Sequence, residues 1–274
     1  MRPGFELATV LITVKTYPNP SDRYGETVCV AGARLDGGIP TWIRLYPMKH
    51  RLAEYTQKFK KYDLIEIPVS SHGAKDPRPE SMRPDQTGLR LLGHVESRDG
   101  WRERRELLAG LIGATTTCDL IAANKAVTMA DPAPSLGLVR ATEATVRVRL
   151  GKTWDARQRH KAEAAASPTL FDDQGQEVLE PMPFSVVLSY RCDAERCPGH
   201  EATVLDWEVG QAGRKWRVEL GDAGARTALR DKWTSMFASG KDSHLFVGNM
   251  HQRRQTFSVL GVWYPRIPVQ DSLL

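Results

Sequence analysis

The feature that most constrains the fold is a succession of short segments rich in Val, Ile and Thr, separated by turn-forming residues. In the first half of the chain these segments are residues 7–16, 26–33, 41–46, 62–69 and 89–95. The first two are separated by Pro18, Asn19 and Pro20, which favour a loop. About five short strands within about ninety residues are typical of a small barrel.

A second β-rich region begins at Phe184, where apolar and polar residues alternate to Arg191. The sequence predicts further strands at residues 202–209, 214–220, 244–248 and 256–264. Residues 225–238 instead carry apolar side chains at helical spacing, and we expect a helix there.

The middle of the chain is mixed. Residues 101–113 predict a helix, and residues 144–150 predict a strand. In that strand Val146, Val148 and Leu150 point inward, whereas Arg147 and Arg149 point to solvent. Residues 167–183 are rich in Pro and acidic side chains and predict an exposed connector.

The expected fold class is β-rich α+β, with two OB-like small barrels joined by a helical and loop segment. The expected domains are residues 1–97, 98–183 and 184–274.

Composition narrows the class of protein. The chain has 274 residues, 26% of them charged, with a formal net charge of +5 and a pI near 9.0. A basic balance of this size is compatible with a nucleic-acid partner. No apolar run approaches the ~18 residues of a membrane span, and the N-terminal apolar run lacks a cleavage site. We therefore expect a cytoplasmic protein.

Four short motifs follow one another in the first half: Cys29-Val-Ala-Gly, Trp42-Ile-Arg-Leu-Tyr-Pro, residues 62–68, and Arg78-Pro-Glu80. Over residues 8–85 their order and spacing resemble prokaryotic proteins with a dual OB-fold domain, a family of poorly defined function. The resemblance implies a fold of two barrels and a place in a multi-protein bacterial system. It implies no catalytic residues.

The clearest candidate for a metal site is the segment CDAERCPGH, which contains Cys192, Cys197 and His200. Thiolate and imidazole are the ligands that Zn²⁺ prefers, and Pro198 and Gly199 favour the turn that such a site needs. A structural zinc is one interpretation. The other is a hairpin whose cysteines only pack in the core.

A zinc site at this segment would need a fourth ligand from elsewhere. The candidates are His251, His244, Cys118 and Asp193. Of these we include His251 in the predicted ligand set.

The candidate nucleic-acid surface lies between residues 41 and 62, where six cations oppose one carboxylate among several aromatic residues. OB-type barrels bind single strands through such a mixture, because cations track phosphates and rings stack on bases. The solvent-facing arginines of the strand at 144–150 extend the set. The predicted binding residues are Trp42, Arg44, Tyr46, Lys49, Arg51, Lys58, Lys60, Lys61, Arg147 and Arg149.

The leading hypothesis is thus a nucleic-acid-binding protein, and we assign no catalytic residue. One alternative is a metal-dependent nuclease or hydrolase that uses Asp206, Glu208 and either His200 or His251. On a strand, Asp206 and Glu208 would share a face. The other alternative is an adaptor whose barrels bind a partner protein.

Overall fold

The computed structural model describes residues 2–21, 25–49, 58–167 and 177–267. Arg51 lies outside these ranges, as do residues 168–176 of the predicted connector. The strands are β1 (Glu6–Lys15), β2 (Asn19–Ser21), β3 (Gly25–Arg34), β4 (Thr41–Met48), β5 (Asp63–Ser71), β6 (Ser81–Pro84), β7 (Arg90–His94), β8 (Leu136–Arg140), β9 (Thr142–Leu150), β10 (Phe184–Arg191), β11 (His200–Thr203), β12 (His244–Met250) and β13 (Arg253–Trp263). The α-helices are α1 (Arg102–Leu107), α2 (Thr117–Lys125), α3 (Ala156–Ala166) and α4 (Trp207–Ser235).

Five strands of the first half form a closed barrel. β1 pairs with β3 and with β5, β3 pairs with β4, and β6 lies between β4 and β5. The β4–β6 pairing is parallel and the others are antiparallel. β2 and β7 extend the sheet beyond β3 and β5. This architecture is consistent with an OB-like barrel and confirms the expectation for the first half of the chain.

The barrel encloses an apolar core to which the strand-forming residues of β1 and β5 contribute. Val10, Ile12, Ile65 and Ile67 point inward and are fully buried. β1 and β3 approach so closely at Gly32 that a Cβ there would lie 2.0 Å from the Leu11 carbonyl oxygen. Only glycine permits that approach, and Gly32 is the glycine of the Cys-Val-Ala-Gly motif.

The second half, residues 113–267 and hereafter the C-terminal region, contains two three-stranded antiparallel sheets. One has the order β11-β10-β9 and the other β13-β12-β8. β8 and β9 are separated by Ala141 alone, and a single parallel bridge joins Val204 to Val259. The described strands therefore do not pair into a second closed barrel, in contrast to the predicted pair of barrels.

The predicted strands at 202–209 and 214–220 are wrong beyond Thr203. Asp206 caps α4, its carboxylate accepting from the Glu208 N–H at 3.0 Å, and the helix continues to Ser235. Gly210 and Gly213 are both buried three residues apart, a spacing that shares a face in a helix but not in a strand. α4 packs against β9 and β10, and this packing overrides the strand-forming composition of the segment.

Of four further predictions, one is confirmed and three are modified. The helix expected at 225–238 is confirmed as the second part of α4, beyond a bend at Gly221, where φ is 69°. The helix expected at 101–113 shortens to α1. Leu150, expected to point inward, is 59% exposed at the end of β9. In the described part of the connector, Leu179 is buried, so residues 177–183 are not a free linker.

The barrel and the C-terminal region share an apolar interface. Leu11 and Ala31, on the outer face of the barrel, pack in one cluster with Phe246, Leu260 and Trp263. No α-helix within the described ranges is long and apolar enough to cross a membrane.

Buried polar contacts accompany this interface. The Arg44 guanidinium donates to the Ser135 carbonyl at 3.0 Å, and both Glu80 carboxylate oxygens accept from Ser135, at 2.9 and 3.0 Å. Arg78 donates to the Asn249 carbonyl at 3.0 Å. The charged residues of the sequence motifs therefore attach the barrel to the C-terminal region.

Candidate metal centre and the predicted binding residues

Four potential metal ligands converge beside the β10–β11 hairpin. Cys192 follows the last residue of β10, Cys197 lies in the turn, and His200 begins β11. Cys118 joins them from the first turn of α2. The ligand atoms of these four side chains all lie within 4.8 Å of one another. Among the described residues this is the only such group of three or more His, Cys, Asp or Glu side chains.

The distances fit a tetrahedral metal ion. Cys192 Sγ lies 3.6 Å from both Cys118 Sγ and Cys197 Sγ, and the three sulfurs lie 3.2–3.5 Å from His200 Nε2. A zinc ion with Zn–S bonds of about 2.3 Å and a Zn–N bond of about 2.0 Å would separate its ligands by about 3.8 Å and about 3.5 Å respectively. A disulfide would instead require about 2.05 Å between sulfurs. The arrangement could hold a metal ion, and its donor set is one that zinc prefers.

The electrostatics of the four side chains also favour a cation. Burial raises the pKa of the Cys192 thiol, but backbone hydrogen bonds from Ala194 and Cys118 and the contacts with His200 and Cys197 outweigh burial and lower that pKa to about 6. At Cys118, burial and the contacts with Cys192 and Cys197 raise the pKa to about 12. Cys192 thus ionises readily while Cys118 resists ionisation, and a divalent cation would favour the thiolate form at both.

Local structure holds the four side chains in place. The backbone N–H groups of Cys192 and Gly199 donate to Cys197 Sγ at 3.3 and 3.4 Å. Gly199 has a φ of 88°, in the left-handed region that favours glycine. On the other side, Thr117 Oγ1 lies 3.0 Å from the Tyr190 hydroxyl, which fixes the first turn of α2 against β10.

Cys118, and not His251, completes the group. His251 Nδ1 lies 3.4 Å from Asp76, at the edge of the barrel. His244 Nδ1 lies 3.4 Å from Asp242, and Asp193 is exposed, 4.0 Å from Arg140. Cys118 was among the candidates for the fourth ligand, but no local pattern distinguishes it, because 74 residues separate it from Cys192.

The predicted binding residues of segment 41–62 separate into interior and surface sets. Arg44 is buried and bonded to Ser135, and Lys61 is half-buried against Asp206. Trp42 is half-buried, with its ring edge-to-face against Phe246, and Tyr46 is also half-buried. The remaining lysines, Lys49, Lys58 and Lys60, are exposed. Arg44 and Lys61 thus already have partners in the C-terminal region, Ser135 and Asp206.

The arginines of β9 lie where the alternation predicted. Arg147 and Arg149 are exposed on the outer face of the sheet, while Val148 between them is buried. Arg147 forms an ion pair with Glu201 across β10. Both arginines remain accessible.

The carboxylates of the nuclease alternative do not form a strand pair. The Lys61 ammonium lies 2.5 Å from Asp206 and 3.6 Å from Glu208. Burial raises the pKa of Asp206, and Lys61 counteracts part of that rise. Burial opposes the charge on Lys61, but the two carboxylates raise its pKa overall. A metal ion between these carboxylates would have to displace Lys61.

Neither histidine of that alternative is available to complete it. His200 belongs to the cysteine group, and His251 faces Asp76. A cavity of about 30 Å³ beside Lys61, Asp206 and Glu208 has room for about one water molecule. The arrangement is that of a buried ion pair between the barrel and the C-terminal region.

Comparisons with known proteins define a family and no activity. No curated protein matches the chain. A solved structure described as "Structure of murine DNA binding protein bound with ds DNA" is 10% identical, covers 97% of this chain and 99% of its own, and has a TM-score of 0.29, too low for an argument about fold or function. The profile described as "Domain of unknown function (DUF8758)" matches residues 6–110. The profile described as "Domain of unknown function (DUF8757)" matches residues 113–274, more than half of the chain and the part that holds the cysteine group. The chain therefore belongs to the DUF8757 family.

Proposed function

We propose that this protein binds nucleic acid and that a structural zinc ion stabilises its C-terminal region. The observation that carries the binding proposal is the set of cations that the fold leaves on the surface. Lys49, Lys58 and Lys60 are exposed near the barrel, and Arg147 and Arg149 are exposed on β9. Exposed cations on a β-rich scaffold are suited to neutralising phosphates.

The zinc proposal is supported by the four protein ligands. A structural zinc site is closed by four side chains, whereas a catalytic site keeps one position for water or substrate. Here Cys118, Cys192, Cys197 and His200 would fill every position. The zinc therefore has a structural role in this proposal, and it joins α2 to the β10–β11 hairpin.

The proposed location and cellular context of the protein rest on the sequence motifs. The resemblance to dual OB-fold proteins and the reducing conditions that free cysteines need support a cytoplasmic protein within a multi-protein bacterial system.

Fluorescence anisotropy with labelled single-stranded and duplex DNA and RNA, measured at several salt concentrations, tests the binding proposal. Affinity should fall with salt, with a logarithmic slope of about −0.7 per phosphate contact on a single strand and about −0.9 on B-form DNA. An absence of salt-dependent binding to all of these nucleic acids would overturn it and favour the adaptor alternative.

A further inference from the structure

A second basic segment, residues 147–161, carries as large a local positive charge as segment 41–62. The cations of this basic strip are Arg147, Arg149, Lys152, Arg157, Arg159 and Lys161. Six cations less the single carboxylate of Asp155 give +5, which equals the net charge of the whole chain. Lys161 is half-buried and the other five are exposed. The rest of the chain is therefore neutral in sum.

The basic strip runs from one region of the molecule to the other. Arg147 and Arg149 lie on β9, whose neighbour in the sheet is β10. The chain then enters α3, which packs against β3 of the barrel. With 11 residues, α3 is about 16 Å long. A strand of B-form DNA places one phosphate per about 3.4 Å of axis, so the helix alone spans about five phosphates.

The cations of α3 lie toward its N-terminal end. Arg157, Arg159 and Lys161 lie in its first half, and its first turn contains no acidic residue. Cations at the N-terminal end oppose the helix dipole, and those at the C-terminal end would complement it. The second half is nearly all alanine, with Glu163 as its one charge. The cations therefore lie together in the half of α3 that follows β9 and its loop.

The segment is also held in a fixed position. Arg159 donates to the Trp154 carbonyl at 2.6 Å, closing the loop before α3. A Cβ at Gly151 would lie 1.8 Å from the Met182 carbonyl oxygen, so the loop lies directly against residues 182–183. The ion pair of Arg147 with Glu201 is exposed and weak in water, and a phosphate can replace it.

We propose that the basic strip is the principal contact of this protein with the phosphate backbone of nucleic acid, ahead of the exposed lysines at positions 49–60. The inference rests on the proposed function and names the surface that performs it. A nucleic-acid strand on the strip would cross from the C-terminal sheet to the barrel.

Three triple variants with the same loss of charge test this inference. The strip variant is Arg149→Gln, Lys152→Gln and Arg157→Gln. The matched control is Lys75→Gln, Lys125→Gln and Arg226→Gln, three exposed cations outside both binding surfaces. A third variant, Lys49→Gln, Lys58→Gln and Lys60→Gln, should weaken binding less than the strip variant. The strip variant should weaken binding on the order of tenfold near 0.1 M salt and reduce the single-strand salt slope by about 2, whereas the control should stay within about threefold of the parent.

Each outcome decides between the two proposals. If the parent binds nucleic acid but the strip variant binds equally well, or the control or the third variant loses as much, the inference is overturned and the proposed function stands. If the parent binds no nucleic acid, the proposed function fails. Binding of the parent only to phosphatidylserine vesicles would overturn both. Melting curves accompany all variants, and if the triple variant is unfolded, single Lys152→Gln should reduce the slope by about 0.7.

Discussion

The barrel and the C-terminal region are both β-rich, but different contacts close their cores. In the barrel, the ring from β1 through β3, β4, β6 and β5 returns to β1, so backbone hydrogen bonds alone enclose the apolar interior. In the C-terminal region, two three-stranded sheets meet with a single bridge at Val204 and Val259. Its core is covered by α4, and the cysteine group, which could hold a metal ion, lies beside the β10–β11 hairpin. Strand pairing all the way round holds a closed barrel together, whereas two open sheets need further contacts between them.

The motif residues of the first half also have a structural explanation, because several of them join the barrel to the C-terminal region. Arg44, Arg78 and Glu80 lie at the junction of the two regions, where each bonds to Ser135 or Asn249 of the C-terminal region. Cys29 Sγ accepts from Arg44 at 3.2 Å. A signature that could be taken for a ligand site therefore describes how the barrel is joined to its neighbour.

The largest expected effect is the loss of stability on removal of the metal, which should affect the C-terminal region and not the barrel. Cys197→Ser should release the metal and destabilise the C-terminal region, because structural zinc binding is coupled to folding and is worth about 10–16 kcal/mol in zinc-finger peptides. Hydrogen exchange should accelerate at β10, β11 and α2 and remain slow at β1 and β5. Cys29→Ser, outside the metal group, is the control. Equal acceleration in both regions would remove the distinction.

A smaller effect is expected at the buried ion pair between the regions. The Lys61 side chain is 13% exposed and that of Asp206 is 3% exposed. Lys61→Met leaves the Asp206 carboxylate buried without its partner, which typically costs about 3–5 kcal/mol. Chemical denaturation should show this loss, with Lys60→Met as the exposed control.

The same variant has a predicted pH dependence. Burial raises the pKa of Asp206 above its usual 3.8, and loss of Lys61 should raise it further. The folded state then holds the proton more tightly than the unfolded state, so the stability of the variant should fall as pH rises through the shifted pKa. A pH-independent loss of stability would contradict the assignment of Asp206 as the uncompensated charge.

The smallest effect of the series is expected at Glu80. Its two carboxylate oxygens accept from the N–H and the hydroxyl of Ser135. Glu80→Gln replaces one acceptor by a donor and should cost about 1–3 kcal/mol. Urea unfolding should show a lower midpoint, while exposed Glu96→Gln should match the parent. A Glu80→Gln variant as stable as the parent would show that the junction does not depend on this bond.

The sequence predicts those elements whose pattern is local. The strand-forming runs of β1 and β5 and the Cys192–His200 segment each lie within about ten residues, and they are found as strands and as part of the cysteine group. The first part of α4 was missed because Val204, Trp207 and Val209 have strand-forming side chains, and packing on β9 and β10 makes the segment helical. Cys118 and the Lys61–Asp206 pair depend on contacts 74 and 145 residues apart, which no local pattern encodes.

Metal analysis of the purified protein tests the central claim most directly. The protein, never exposed to chelator, should contain about one zinc per chain. Cys118→Ser should lose most of it, whereas Cys29→Ser and His251→Ala should retain it, because only Cys118 belongs to the group of Cys192, Cys197 and His200. A parent without metal, or a Cys118→Ser variant that keeps its zinc while His251→Ala loses it, would contradict the account.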